Sequence, residues 1–175
     1  MGIVKSTSPL LAGMSRLSLR HNIAFKIAQM ISIVLDANIY DKLAIDAERC
    51  FHLRELIHKG HVEVLLSPVV HDQLGAGPFK DVSSLFPIRL ISEAVAVWGV
   101  AKFGLARMGN GNVYKEHRGA SNQYEDAIIA DTAHCDADIF VSEDKRCRKR
   151  LKTISSTLKC LDYDEFAAWI ESQRP

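Results

Sequence analysis

The chain has 175 residues, with 22 Lys and Arg against 21 Asp and Glu and a formal net charge of +1. No global polyelectrolyte character therefore points to a partner, and any attraction to a nucleic acid must come from local clustering. A hydrophobic share of 47% is ordinary for a globular protein, and the length suits one domain whose core needs no staples.

Residues 1–35 carry Lys5, Arg16, Arg20 and Lys26 but no acid, and no apolar run there is long enough to span a bilayer. Basic, Ser-rich composition is shared with transit peptides. Met30, however, stands directly before the first apolar run, so residues 1–30 are read as a non-catalytic extension and 31–175 as a single domain. Ile31-Ser32-Ile33-Val34-Leu35 predicts a first strand buried on both faces, ending abruptly in Asp36. Leu43, Ala47, Cys50, Leu53 and Ile57 then form a helical stripe, closed by Lys59 and a C-capping Gly60. Val62–Leu66 reads as a second strand, and Ser67-Pro68 opens a short helix with Pro at its first position, broken at Gly75-Ala76-Gly77-Pro78. A third strand is expected over Ile88–Ile91, followed by a helix opened by Ser92-Glu93 and running to about Met108. A polar loop begins at Gly109-Asn110-Gly111-Asn112. Asn122 and Glu125 form a capping box for the helix that carries Asp126. Ile139-Phe140-Val141 is the fourth strand and Leu158–Leu161 the fifth, and Asp162 with Glu165 starts the last helix. This alternation predicts an α/β fold with a mostly parallel five-stranded sheet flanked by helices.

Ligands of open parallel sheets gather at the carboxyl ends of the strands. Asp36 follows the first strand, Asp144 follows the fourth, and Asp126 sits on the helix just before the fourth with Ile129, Ala130 and Ala133 on its face. Three such carboxylates can hold one or two hard cations, Mg²⁺ or Mn²⁺, which take oxygen ligands. Those ions supply what phosphodiester hydrolysis needs: a nucleophilic water at neutral pH and a screen for developing charge. Cys50, Cys135, Cys147 and Cys160 form no C-x-x-C pair, and with no clear signal peptide they predict reduced thiols in a cytoplasmic protein. His134-Cys135 lacks a second pair at zinc spacing.

Three segments, Ile33-Val34-Leu35-Asp36-Ala37-Asn38, Glu125–Ala133 and Ile139–Asp144, together resemble the PIN-domain nucleases, which include the ribonuclease toxins of toxin–antitoxin pairs. They occur in family order and cover the span from about Ile31 to Ile170. The resemblance implies a PIN-like three-layer sandwich, a divalent metal held by acids, and endoribonuclease cleavage of RNA. It assigns metal ligation to Asp36, Asp126 and Asp144, with Asn38 and Ser142 as supporting hydrogen-bonding groups. A protein antitoxin and a homodimer are partners implied by the family alone, and no membrane is expected. The family places a glutamate in the helix after the second strand, directly before a leucine. Here Gln73 precedes Leu74, and Asp72 stands one residue earlier, so either Asp72 has taken over as a catalytic acid or the site has three strong acids. A one-residue shift rotates a side chain by about 100° around a helix.

Asp131, five residues after Asp126, is read either as a rim or supporting group or as a solvated surface acid. Glu143 is read as a solvated neighbour of Asp144, although it could reach a second metal. His71 is read as a surface or packing residue, and Tyr40 and Trp98 as core or groove wall. Lys145-Arg146-Cys147-Arg148-Lys149-Arg150-Leu151-Lys152 starts right after Asp144. Charge runs are usually solvated helix faces, but at the rim of an acidic metal site this one is where a phosphate backbone would lie. Arg146, Arg148, Lys149 and Arg150 are its expected RNA contacts, which Tyr114, Lys115, His117 and Arg118 could extend. The main alternative function is a catalytically weakened PIN-like RNA-binding or scaffold module. A phosphotransferase with Asp36 as nucleophile is disfavoured, because such enzymes want a second aspartate where Asn38 stands.

Overall fold

The computed structural model describes residues 30–77, 84–96, 104–107, 111, 114–115 and 124–174. The predicted extension before Met30 lies outside them, as do Trp98, Asn122, His117, Arg118 and most of the Gly109–Asn112 segment. Ile31–Leu35 forms β1, and its last three residues are fully buried. Val62–Leu66 (β2) and Ile139–Val141 (β4) flank it in parallel, while Arg89–Leu90 (β3) and Lys159–Leu161 (β5) form the edges. The strand order is β3-β2-β1-β4-β5, and every pairing is parallel. β-branched and aliphatic residues fill the central strands because both faces of a parallel sheet are covered.

Six helices among the described residues flank this sheet: Ala37–Ile45 (α1), Ala47–His58 (α2), Pro68–Ala76 (α3), Tyr124–Asp136 (α4), Lys145–Ile154 (α5) and Tyr163–Ser172 (α6). The arrangement is consistent with a three-layer sandwich. None of these helices is long and apolar enough to cross a membrane. All four cysteines are free thiols.

Local signals set most boundaries. Gly60 ends α2 at φ +70°, a conformation that favours glycine. Ser67 caps α3 ahead of Pro68, and Asp162 with Glu165 makes a complete capping box for α6. Two expectations are corrected. The stripe from Leu43 to Ile57 belongs to two helices, because the Asp46 side chain accepts from Arg49 N at 3.1 Å and restarts the chain as an N-cap. Ser92-Glu93 does not open a helix. Glu93 pairs with the 105–107 segment through Glu93 N to Leu105 O (2.9 Å) and Arg107 N to Glu93 O (2.7 Å). Ala94 N is meanwhile drawn 3.1 Å from Thr132 Oγ1. Tertiary pairing has taken the amides that a first helical turn would leave exposed.

Candidate active site

The direction of chain winding reverses at β1: the path runs from β1 through β2 to β3 on one side and from β4 to β5 on the other. Crevices of open parallel sheets form at such a switch point, outside the carboxyl ends of the two strands. Here those ends are Leu35 and Val141, tied by Asp36 N donating to Val141 O at 2.9 Å. The cleft beside them is lined by Asp36, Asp126, Ile129, Phe140, Ser142, Asp144 and Cys147.

Each acid stands at the start of a helix. Asp36 is the N-cap of α1, Asp144 is the N-cap of α5, and Asp126 lies in the first turn of α4. Three helix N-termini thus point partial positive charge at the acids. The Asp36 carboxylate accepts from Ala37 N at 2.8 Å, Ser142 Oγ at 2.7 Å and Asn38 Nδ2 at 3.2 Å. Ser142 is fully buried, and its oxygen also accepts from Asp144 N at 3.1 Å, so one hydroxyl links two of the acids. Asp144 Oδ1 takes the amides of Arg146 (2.8 Å) and Cys147 (3.3 Å).

Electrostatics at the cleft reflect crowding. Burial pushes the Asp36 carboxyl up, its three hydrogen bonds pull it back, and the Asp144 charge adds to the rise. Asp126 is raised first by burial and then by Asp36, Asp144 and Glu125, with Arg146 opposing. Burial, followed by the charges of Asp144, Asp36 and Asp126, pushes the Cys147 thiol far above its ordinary value.

The donor set fits a hard divalent cation. Capping uses only one oxygen of Asp144, and among the described residues neither oxygen of Asp126 accepts a hydrogen bond. The three carboxylates do not close to the mutual 4.8 Å that Glu48, His52 and Glu171 reach elsewhere on the surface. Like charges hold bare carboxylates apart, and Mg²⁺ is commonly reached partly through its waters. The Glu48–His52–Glu171 group is compact for another reason: Arg49 and Arg174 lie in ion pairs with both glutamates.

The chain matches no protein-family model, no curated protein and no solved structure. The geometry alone must sort the predicted residues.

Asp36, Asp126, Ser142 and Asp144 come together, with Asn38 beside Asp36. Asp72 does not line the cleft; its carboxylate is exposed, 3.7 Å from His71 Nδ1. Gln73 turns instead to Glu125, donating from Nε2 to Oε2 at 2.7 Å. Asp131 is 2% exposed, which corrects its reading as a solvated surface acid. Glu143 lies outside the cleft lining, beside Asp144 in the chain, with its side chain 38% exposed. It pairs with Lys42 at 2.7 Å and accepts from Tyr163 N at 3.2 Å. Tyr40 belongs to the core.

The basic run is α5, starting at the cleft, but its cations diverge. Lys145, Arg146, Lys149 and Lys152 are exposed and Arg150 is half-buried. Arg148 is 7% exposed, donating from Nη1 to Ser142 O and lying with Nη2 3.2 Å from Asp162 Oδ2. It ties α5 to the loop that carries the acids and to the cap of α6, so it is withdrawn from the expected RNA surface. Sequence reasoning misses Cys147 as part of the cleft lining. Three-residue spacing places Cys147 on the helix face above Asp144, a signal the sequence did contain.

Proposed function

We propose that this protein is a divalent-metal-dependent endoribonuclease of the PIN type. What supports the reading is the gathering of three carboxylates from β1, α4 and β4 at the switch point, with a basic helix starting at their rim. Asp36, Asp126 and Asp144 would hold the ion. A bound Mg²⁺ or Mn²⁺ supplies a water of lowered pKa and neutralises charge on a phosphate. The chain's own residues do the rest. Ser142 and Asn38 fix the Asp36 carboxylate by hydrogen bonds, and the amides of Arg146 and Cys147 fix that of Asp144. Ile129, Phe140 and Cys147 form an apolar floor that strengthens electrostatic interactions above it. Lys145, Arg146 and Lys149 present charge to a phosphate backbone. A role as the toxin of a toxin–antitoxin pair, acting in the cytoplasm and bound by a protein antitoxin or a second copy, extends this reading by the family resemblance.

The deciding experiment is RNA cleavage by the full chain with Mg²⁺ or Mn²⁺. Asp36→Asn, Asp126→Asn and Asp144→Asn should each abolish it while circular dichroism stays unchanged. Undiminished cleavage in excess EDTA would overturn the metal mechanism. Cation-independent RNA binding without cleavage would favour a binding or scaffold module.

A further inference from the structure

β4 ends at Val141, and the next three residues, Ser142 to Asp144, carry the chain past the cleft into α5. Ser142 N donates to Leu161 O at 3.1 Å, which fixes the amide side of that residue against β5. Its carbonyl side is held by Nη1 of Arg148. The other arm of the same guanidinium, Nη2, lies 3.2 Å from Asp162 Oδ2. Asp162 is itself fixed, because its Oδ1 caps α6 by accepting from Glu165 N at 2.9 Å. Ser142 is therefore pinned on both sides of its backbone, and the direction of its side chain is set. That side chain is a hub: Oγ donates to Asp36 at 2.7 Å and accepts from Asp144 N at 3.1 Å.

Stability alone does not call for an arginine at this place. Arg148 is more than nine-tenths buried, and apolar residues of similar volume often replace buried ion pairs without loss. What an apolar side chain cannot supply is a donor for the Ser142 carbonyl. We propose that Arg148 is a positioning residue of the cation site, setting through the Ser142 carbonyl the hydroxyl that aligns Asp36 and Asp144. This rests on reading the cleft as a cation site. The planar fork of an arginine reaches a carbonyl and a carboxylate at once, which the single ammonium of a lysine on its flexible stem does less well. Groups that orient metal ligands from behind typically change affinity 10–100-fold. Arg148 thus serves the cation, whereas the exposed Arg146 and Lys149 of the same helix face the RNA.

Mn²⁺ binding to the full-length protein, followed by electron paramagnetic resonance at a temperature where circular dichroism shows each variant folded, tests this. Arg148→Ala should raise the Mn²⁺ dissociation constant roughly 10-fold. Arg148→Lys keeps the charge and most of the stem but loses the fork, so it should fall between Arg148→Ala and wild type, and it carries the test if Arg148→Ala does not fold. Lys149→Ala should leave Mn²⁺ affinity unchanged. Cleavage assays should show the matching split. Arg148 variants need more cation for half-maximal rate with the RNA KM unchanged at saturating cation, while Lys149→Ala raises the RNA KM. Folded Arg148 variants that bind Mn²⁺ as wild type does overturn the inference: a fallen melting temperature alone then makes Arg148 a structural residue, and a raised RNA KM makes it an RNA contact. Asp36→Asn separates the two levels. If it weakens Mn²⁺ binding and the Arg148 variants do not, only the positioning role is lost. If wild type binds no Mn²⁺, or Asp36→Asn leaves binding intact, the cation site itself falls and the inference with it.

Discussion

Arg148→Ala separates structural from RNA-contacting cations on α5. Arg148 is 7% exposed, and its guanidinium holds the Ser142 carbonyl and the Asp162 carboxylate. A hydrogen bond from a charged donor contributes about 1.5–3 kcal/mol. The Asp162 side chain is about a third exposed, at 31%, so that ion pair is partly screened and adds at most about 1 kcal/mol. Truncation also leaves the Ser142 carbonyl without its donor and strips the aliphatic stem from its packing. The expected loss is about 3 kcal/mol of unfolding free energy. For a chain of this size each kcal/mol moves the melting temperature by about 2–4 °C, so the midpoint should fall by roughly 6–12 °C. Lys149→Ala, one residue on and exposed, should stay within about 0.5 kcal/mol of wild type. Urea denaturation with matched slopes measures both. Arg148→Ala within about 0.5 kcal/mol of wild type would refute the reasoning.

The remaining predictions concern the cleft and its rim. Ser142→Ala deletes the donor to Asp36 and the acceptor for Asp144 N. It should lower cation-dependent cleavage by about 10–100-fold, the kinetic equivalent of one charged hydrogen bond, and an unchanged rate would show that the hydroxyl does not organise the acids. Neutralising Lys145, Arg146 and Lys149 together should weaken binding of unrelated RNA sequences alike, flattening the log–log salt dependence by about 0.7 for each phosphate no longer neutralised. An unchanged slope would leave α5 a solvated face.

Wherever one segment decides its own structure, the sequence is legible. The apolar runs ending at Asp36 and before Ser142 announce central parallel strands, and their order around β1 brings the acids together. Pro68, Gly60 and the Asp162–Glu165 box mark element ends because capping and φ preferences act over a few residues. What was not legible depends on partners distant in the chain. Asp46 restarts a helix inside a continuous hydrophobic stripe, and periodicity cannot see a cap that preserves the stripe. Glu93 leaves a helical pattern because a strand-like partner waits at 105–107. Arg148 is the sharpest case. Within a run of cations nothing local distinguishes it, and only the Ser142 carbonyl and Asp162 show that it faces inward.

The site that this fold assembles works against the fold's own stability. Asp126 has its carboxyl raised above the ordinary aspartate value by burial and then by Asp36, Asp144 and Glu125. The folded, cation-free chain therefore binds that proton more tightly than the unfolded chain does. The resulting stabilisation is fully present below the unfolded pKa and is lost as pH rises through the folded value. At neutral pH an ionised Asp126 is a net cost, only partly offset by the helix N-termini and by Arg146. Asp126→Asn removes the charge and keeps the shape. In EDTA at neutral pH the variant should melt above wild type, and the gap should close as the solution is acidified towards the range where wild-type Asp126 protonates. A divalent cation reverses the order if the cleft binds it, because wild type then gains binding free energy that the variant largely lacks. Thermal melts of both proteins, with EDTA and with Mg²⁺, measure the four states. A variant that melts below wild type in EDTA would mean that Asp126 stabilises the fold by contacts of its own, and that the crowding of acids at the switch point is not held at the expense of stability.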